Sequence, residues 1–178
     1  MGGSDKEQLS LSDLLKSIQI AKENENITGI YLEAGNLSAG SASISAIRRA
    51  LKDFKESGKF VVAFGDMYTQ GSYYLCSMAD SLFMNPQGAV GLVGMASQGL
   101  FYTGLAEKLG LEHYIFKVGT YKGAVEPLFL KKFSDANREQ ISSFLNSIWG
   151  NVTKEIEEDR SIAAEDLDRF INDGLAFS

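Results

Sequence analysis

Phe60-Val61-Val62-Ala63-Phe64 is an unbroken apolar run of strand length, placed just after Gly58. A run without polar alternation suits a strand covered on both faces, the situation at the centre of a parallel sheet. Upstream, Ile44, Ile47, Leu51 and Phe54 recur at helical spacing, so an amphipathic helix should feed this strand and stop at Gly58 in a left-handed cap. Further back, Ile27 to Glu33 reads as another short buried strand. Ser12 is placed to cap a first helix whose apolar face carries Leu14, Leu15, Ile18 and Ala21. Downstream, Tyr74, Leu75, Met78 and Ala79 mark a short buried helix beginning near Gly71. Ser81–Met84 and Ala89–Val93 read as strands parted by the turn Asn85-Pro86-Gln87-Gly88. Leu100–Leu109 reads as a helix and Tyr114–Val118 as a strand. A long helix then runs from after Ser134 towards Asp159, with Ile141, Phe144, Leu145, Ile148, Val152 and Ile156 inward, and a last helix spans about 163–173.

Strands alternating with helices predict an α/β fold with a mainly parallel sheet. Ile30, Leu32, Val61, Ala63 and Phe64 are its expected core, with Phe144, Ile148 and Val152 packed over it. No repeat or composition break divides the chain, which reads as one domain over residues 5–178. Met1-Gly2-Gly3-Ser4 reads as an appended leader, and the apolar end Gly174-Leu175-Ala176-Phe177-Ser178 as a cut through a longer protein.

Composition narrows the function. At 178 residues and 44% hydrophobic, the chain can bury a core without disulfide or metal support. A net charge of −6 offers no electrostatic footprint for nucleic acid. One cysteine, Cys76, and one histidine, His113, exclude a Cys/His metal site, and no acidic loop has calcium spacing, so neither cofactor nor metal is expected. Glu155, Glu157, Glu158 and Asp159 read as a solvated helix end. No run has transmembrane length, and the chain is expected to be soluble.

The stretch most suggestive of chemistry is Val118-Gly119-Thr120-Tyr121-Lys122-Gly123-Ala124-Val125-Glu126-Pro127. It comes after an expected strand, and catalytic groups of open α/β sheets gather beyond strand ends. Val118, Tyr121, Ala124, Val125 and Phe129 make an apolar neighbourhood for Lys122. Desolvation disfavours an ammonium ion, which is how a lysine becomes a general base. On residue chemistry alone, an ordinary surface lysine in a glycine-rich turn is the favoured account of Lys122, because apolar neighbours in sequence need not be neighbours in space.

That ten-residue stretch resembles the lysine segment in the amino-terminal domain of the long, two-domain signal peptide peptidase A (protease IV) family. Asn26-Ile27-Thr28-Gly29-Ile30, Gln70-Gly71-Ser72-Tyr73-Tyr74-Leu75 and Ser81-Leu82-Phe83-Met84-Asn85-Pro86-Gln87-Gly88 resemble other segments of the same domain, so the likeness covers about Ile18 to Gly174. The resemblance implies a Clp protease/crotonase-like fold of ββα units. It implies half of a membrane-associated Ser–Lys serine endopeptidase that degrades cleaved signal peptides. Lys122 would be the general base, and the serine would lie in an absent carboxy-terminal domain. Its implied partners are that domain, unfolded peptide substrates and further copies of itself, a tetramer in the family. Its implied location is the bacterial inner membrane, facing the periplasm.

Other residues invite misreading. Where the family's catalytic half carries Ser-Gly-Gly-Tyr, this chain has Gln70-Gly71-Ser72-Tyr73, so glutamine stands at the nucleophile position. Ser72 is expected to open a helix instead. Ser38-Ala39-Gly40-Ser41 reads as a turn in preference to a disused oxyanion site, and Gly88, Gly91 and Gly94 match no phosphate-binding fingerprint. His113 has no serine partner in the pattern. Two other readings fit the fold: a crotonase-like acyl-CoA-binding enzyme, and a non-catalytic scaffold that assembles an oligomer. A chain without its partner domain should also expose apolar surface around Tyr121, Val125 and Phe129.

Overall fold

A computed structural model describes residues 10–33, 37, 39–112, 114–116, 119 and 122–173. These fall into two compact units, residues 1–93 with 153–178, and residues 94–152.

The first unit is built on a parallel sheet in the order β1 (Gly29–Glu33), β2 (Phe60–Gly65), β3 (Ser81–Met84). Parallel strands need crossovers, supplied here by α2 (Ser41–Glu56) and α3 (Gln70–Cys76). This is the parallel α/β architecture expected from the sequence. The register pairs Ile30 with Val61 and Leu32 with Ala63, so these side chains share one face. Val61 and Ala63 are fully buried, but Ile30, Leu32 and Phe64 are only half-buried, contrary to expectation. β1 lies at the sheet's edge and lacks a neighbour on one side, and Phe64 points to the less covered face of β2.

Helix α2 buries the expected stripe of Ile44, Ile47, Leu51 and Phe54. It ends as anticipated, with Gly58 at φ +81° donating to the Lys55 carbonyl at 2.9 Å. Helix α1 (Leu11–Glu23) starts earlier than expected: Ser10, not Ser12, is the cap, accepting from the Asp13 amide. At its other end the Lys59 ammonium donates to the carbonyls of Ala21, Lys22 and Asn24 at 2.7–2.8 Å, placing a cation where the helix dipole is negative. Ala89–Val93 is not a strand. Ala89 and Val90 are isolated bridge residues, Val90 pairing with Tyr68, and residues 91–93 run on as loop.

The largest surprise in this unit is Arg48, on the apolar stripe of α2 and only 1% exposed. Its guanidinium donates to Glu155 at 2.7 Å, to Ser77 Oγ at 3.0 Å, to Asp159 and to the Tyr74 carbonyl, and it lies 4.5 Å from the centre of the Tyr74 ring. Glu155 and Asp159 are therefore not a solvated helix end but the counter-charges of a buried arginine. Tyr74 joins them, its hydroxyl donating to Glu155 at 3.0 Å. Burial first, then that bond to a carboxylate, hold the Tyr74 hydroxyl above its usual pKa. The neighbouring Cys76 thiol is buried and pushed up to about 12 by desolvation.

The second unit contains α4 (Thr103–Leu109), a 3₁₀ turn (Gly123–Val125), α5 (Glu126–Phe129) and the first part of α6 (Asp135–Arg160). Helix α4 is shorter than the expected 100–109 segment. The Tyr102 amide donates to the Pro127 carbonyl at 2.8 Å and Thr103 Oγ1 to the Leu130 carbonyl at 2.5 Å, which ties α4 to α5. Tyr114–Phe116 is not a strand, and Phe116 is 96% exposed; Lys117 and Val118 lie outside the described residues. Helix α6 begins after Ser134 as expected and α7 (Ala164–Asp173) closes the first unit.

The expected inward face of α6 needs one correction. Ile141, Leu145, Ile148 and Val152 are half-buried and Ile156 is fully buried, but Phe144 is 64% exposed. At about 100° per residue, Ile141, Leu145, Ile148, Val152 and Ile156 cluster on one arc, and Phe144 falls off its edge.

Candidate active site

Lys122 stands immediately before the 3₁₀ turn Gly123–Val125, and its side chain is exposed. Among the described residues, the apolar neighbours expected to enclose it do not do so. Ala124 and Phe129 are exposed and Val125 is half-buried; Val118 and Tyr121 lie outside the described residues. Gly119, at φ +98°, supplies the left-handed bend preceding the lysine.

The chain just beyond Lys122 is firmly held. Glu126 opens α5, with Pro127 beside it, and its side chain is 0% exposed. The carboxylate accepts from Ser134 Oγ at 2.5 Å, from the Ser134 amide at 3.1 Å and from Asn137 Nδ2 at 2.9 Å. Ser134 in turn caps α6, accepting from the Asn137 amide at 3.2 Å. Gly123 lies so close to Asn137 that any Cβ there would collide with the amide side chain. The motif is thus a turn bearing Lys122, anchored from below by a buried carboxylate. Sequence reasoning passed over Glu126, and its burial had no signal beyond its place in the motif.

Ser72 is in the first unit and is not a cap. Thr69 caps α3, accepting from the Ser72 amide at 3.3 Å. The Ser72 side chain is fully buried, and its hydroxyl donates to the Thr69 carbonyl at 3.1 Å, with Thr69 Oγ1 3.0 Å away. A hydroxyl so placed has neither access to substrate nor a base beside it among these partners. Gln70, at the family's nucleophile position, heads α3 and accepts from the Val93 amide at 3.1 Å. Gly40 precedes α2 as its cap residue, consistent with a turn; Ser38 and His113 lie outside the described residues. In the first unit, Met67, Tyr68, Thr69, Leu92, Phe170 and Ile171 line a cavity of about 360 Å³. Among the described residues, no group of His, Cys, Asp and Glu is placed to hold a metal, and no helix is long and apolar enough to cross a membrane.

Comparison with known proteins agrees with the sequence motif. The chain is 42% identical to Protease 4 of Salmonella typhi over 159 residues, 89% of this chain and 26% of that protein. It is 33% identical to Protease 4 of Haemophilus influenzae over 87% of this chain and 25% of that one. It is 34% identical to the chloroplastic serine protease SPPA of Arabidopsis thaliana over 94% of this chain and 25% of that one. The chain thus spans about a quarter of the length of these relatives. The profile of peptidase family S49 matches residues 53–176, from α2 through the lysine turn to beyond α7, and the chain belongs to that family.

Proposed function

We propose that this chain is one domain of a longer, two-domain serine endopeptidase, and that it contributes Lys122 as general base while the nucleophilic serine lies in a carboxy-terminal domain. The observation that carries the reading is the contrast between Lys122, exposed on an anchored turn, and Ser72, sealed inside α3. In the assembled site a neutral Lys122 amine would take the proton from the serine hydroxyl as its oxygen attacks the peptide carbonyl. The resulting ammonium would return that proton to the departing amine, and water would then release the acyl group by the same route. Lysine performs this role once desolvated, so the serine-bearing domain has a second task, to cover the turn. The exposed apolar side chains of the second unit, Leu100, Leu105, Leu109 and Phe116 among them, favour such a covering partner or further copies of the protein.

By the resemblance of its motifs to the signal peptide peptidase A family, the substrates would be signal peptides already cleaved from their precursors. The site of action would be the inner membrane, with the catalytic domains facing the periplasm. An ester-substrate assay tests the division of labour. The 178-residue chain should show no turnover above background, the full-length protein should turn over, and Ser72→Ala in the full-length protein should change its rate less than about threefold, as expected of a residue outside the chemistry. Turnover by the short chain that vanishes on Ser72→Ala would refute the reading.

A further inference from the structure

We propose that Glu126 is a positioning residue for Lys122, acting through Asn137 and the backbone of Gly123; this rests on the reading of Lys122 as general base. The path is short and continuous. The buried Glu126 carboxylate fixes the Asn137 amide at 2.9 Å, and the Gly123 backbone is pressed against that amide with no room for a Cβ. Gly123 is the residue next to Lys122, so the direction in which Lys122 leaves the turn is set by where Asn137 stands. Ser134, bonded to the same carboxylate through both amide and hydroxyl, locks the whole cluster to the first turn of α6.

A carboxylate is a costly way to staple a turn. Removing it from water carries a penalty of several kcal/mol, and well-packed apolar side chains often serve stability as well or better. What it supplies is direction, since charge-assisted hydrogen bonds have narrow geometry. A general base needs that direction, because a displacement of about 1 Å costs about 100-fold in rate. Among the described residues, the cluster is the one place where a fully buried charge lies within four positions of Lys122.

Two measurements separate this inference from the reading beneath it. The first needs no catalysis: limited trypsin digestion of the native chain, tracking the cut after Lys122. In Glu126→Ala and in Asn137→Ala the released turn should be cut about tenfold faster, the equivalent of losing one charge-assisted hydrogen bond. Thermal melts would show that each variant is folded at the digestion temperature. The second is ester turnover by the full-length protein. Glu126→Ala should lower kcat by about 100-fold with little change in KM. The conservative variant Glu126→Gln, whose amide oxygen can still accept from both the Ser134 amide and Asn137, should recover about tenfold of that loss. Unchanged digestion and unchanged kcat in folded Glu126→Ala would overturn the inference, as would a loss of kcat that Glu126→Gln does not recover. Full activity in Lys122→Ala would instead sink the general-base reading, and the digestion result would still report on the anchor.

Discussion

Replacing Arg48 by alanine should destabilise the protein by about 3–5 kcal/mol, the range for breaking a buried ion pair from one side. The guanidinium is nearly inaccessible and is shared between Glu155, Asp159, Ser77 and the Tyr74 carbonyl. Its removal strands a half-buried Glu155 and leaves Asp159 to Lys52, 2.8 Å away, as counter-charge. It also opens a cavity beneath the Tyr74 ring that the side chain now fills. Arg48→Lys should recover part of the loss, because the charge returns but the planar fork that reaches several acceptors at once does not. Urea unfolding with an unchanged m-value would measure both. A cost below about 1 kcal/mol for Arg48→Ala, the range of exposed pairs, would mean that the cluster does not hold α2, α3 and the end of α6 together.

The second large effect is on catalysis. In the full-length protein Lys122→Ala should reduce kcat/KM by about 10³-fold, within the range attributed to a positioned general base. Lys122→Arg should be no better than alanine, because a guanidinium does not release its proton at any working pH. That pair distinguishes a base from a mere positive charge. If Lys122 served only to attract or orient substrate, arginine would restore most of the rate. Ester hydrolysis under subsaturating substrate is the measurement, with melting temperatures to show that both variants remain folded. Since the Lys122 side chain is exposed, neither change should lower stability appreciably.

How much of this was legible in the residues depended on whether they obeyed a period. Helix α2 and the strand Phe60–Gly65 could be placed because their apolar positions repeat at 3.6 residues or run without a break. The lysine turn could be found because its motif is specific. Apolar runs misled: Ala89–Val93 and Tyr114–Phe116 have strand composition, but composition does not say whether a neighbour supplies opposing backbone groups along a whole ladder, and Ala89 and Val90 go no further than isolated bridges. Charged residues misled in the other direction. Glu155 and Asp159 were expected in water, yet they answer a buried arginine, and Glu126, which drew no expectation, is fully buried. Arg48 did leave a trace, since it lies four residues after Ile44 and three before Leu51, inside the stripe that α2 buries. The neighbourhood of Lys122 left none, because whether sequence neighbours enclose a side chain is decided by turn geometry and by whatever packs over it.

If this chain brings the base and not the nucleophile, a chemical label should reveal it. Reacting the full-length protein with a serine-directed phosphonate and locating the label by peptide mass spectrometry is the most direct test. The account predicts a single labelled serine outside residues 1–178, labelled far more slowly in Lys122→Ala, with Ser72 unmodified. Label on Ser72, or labelling at an undiminished rate without Lys122, would contradict it.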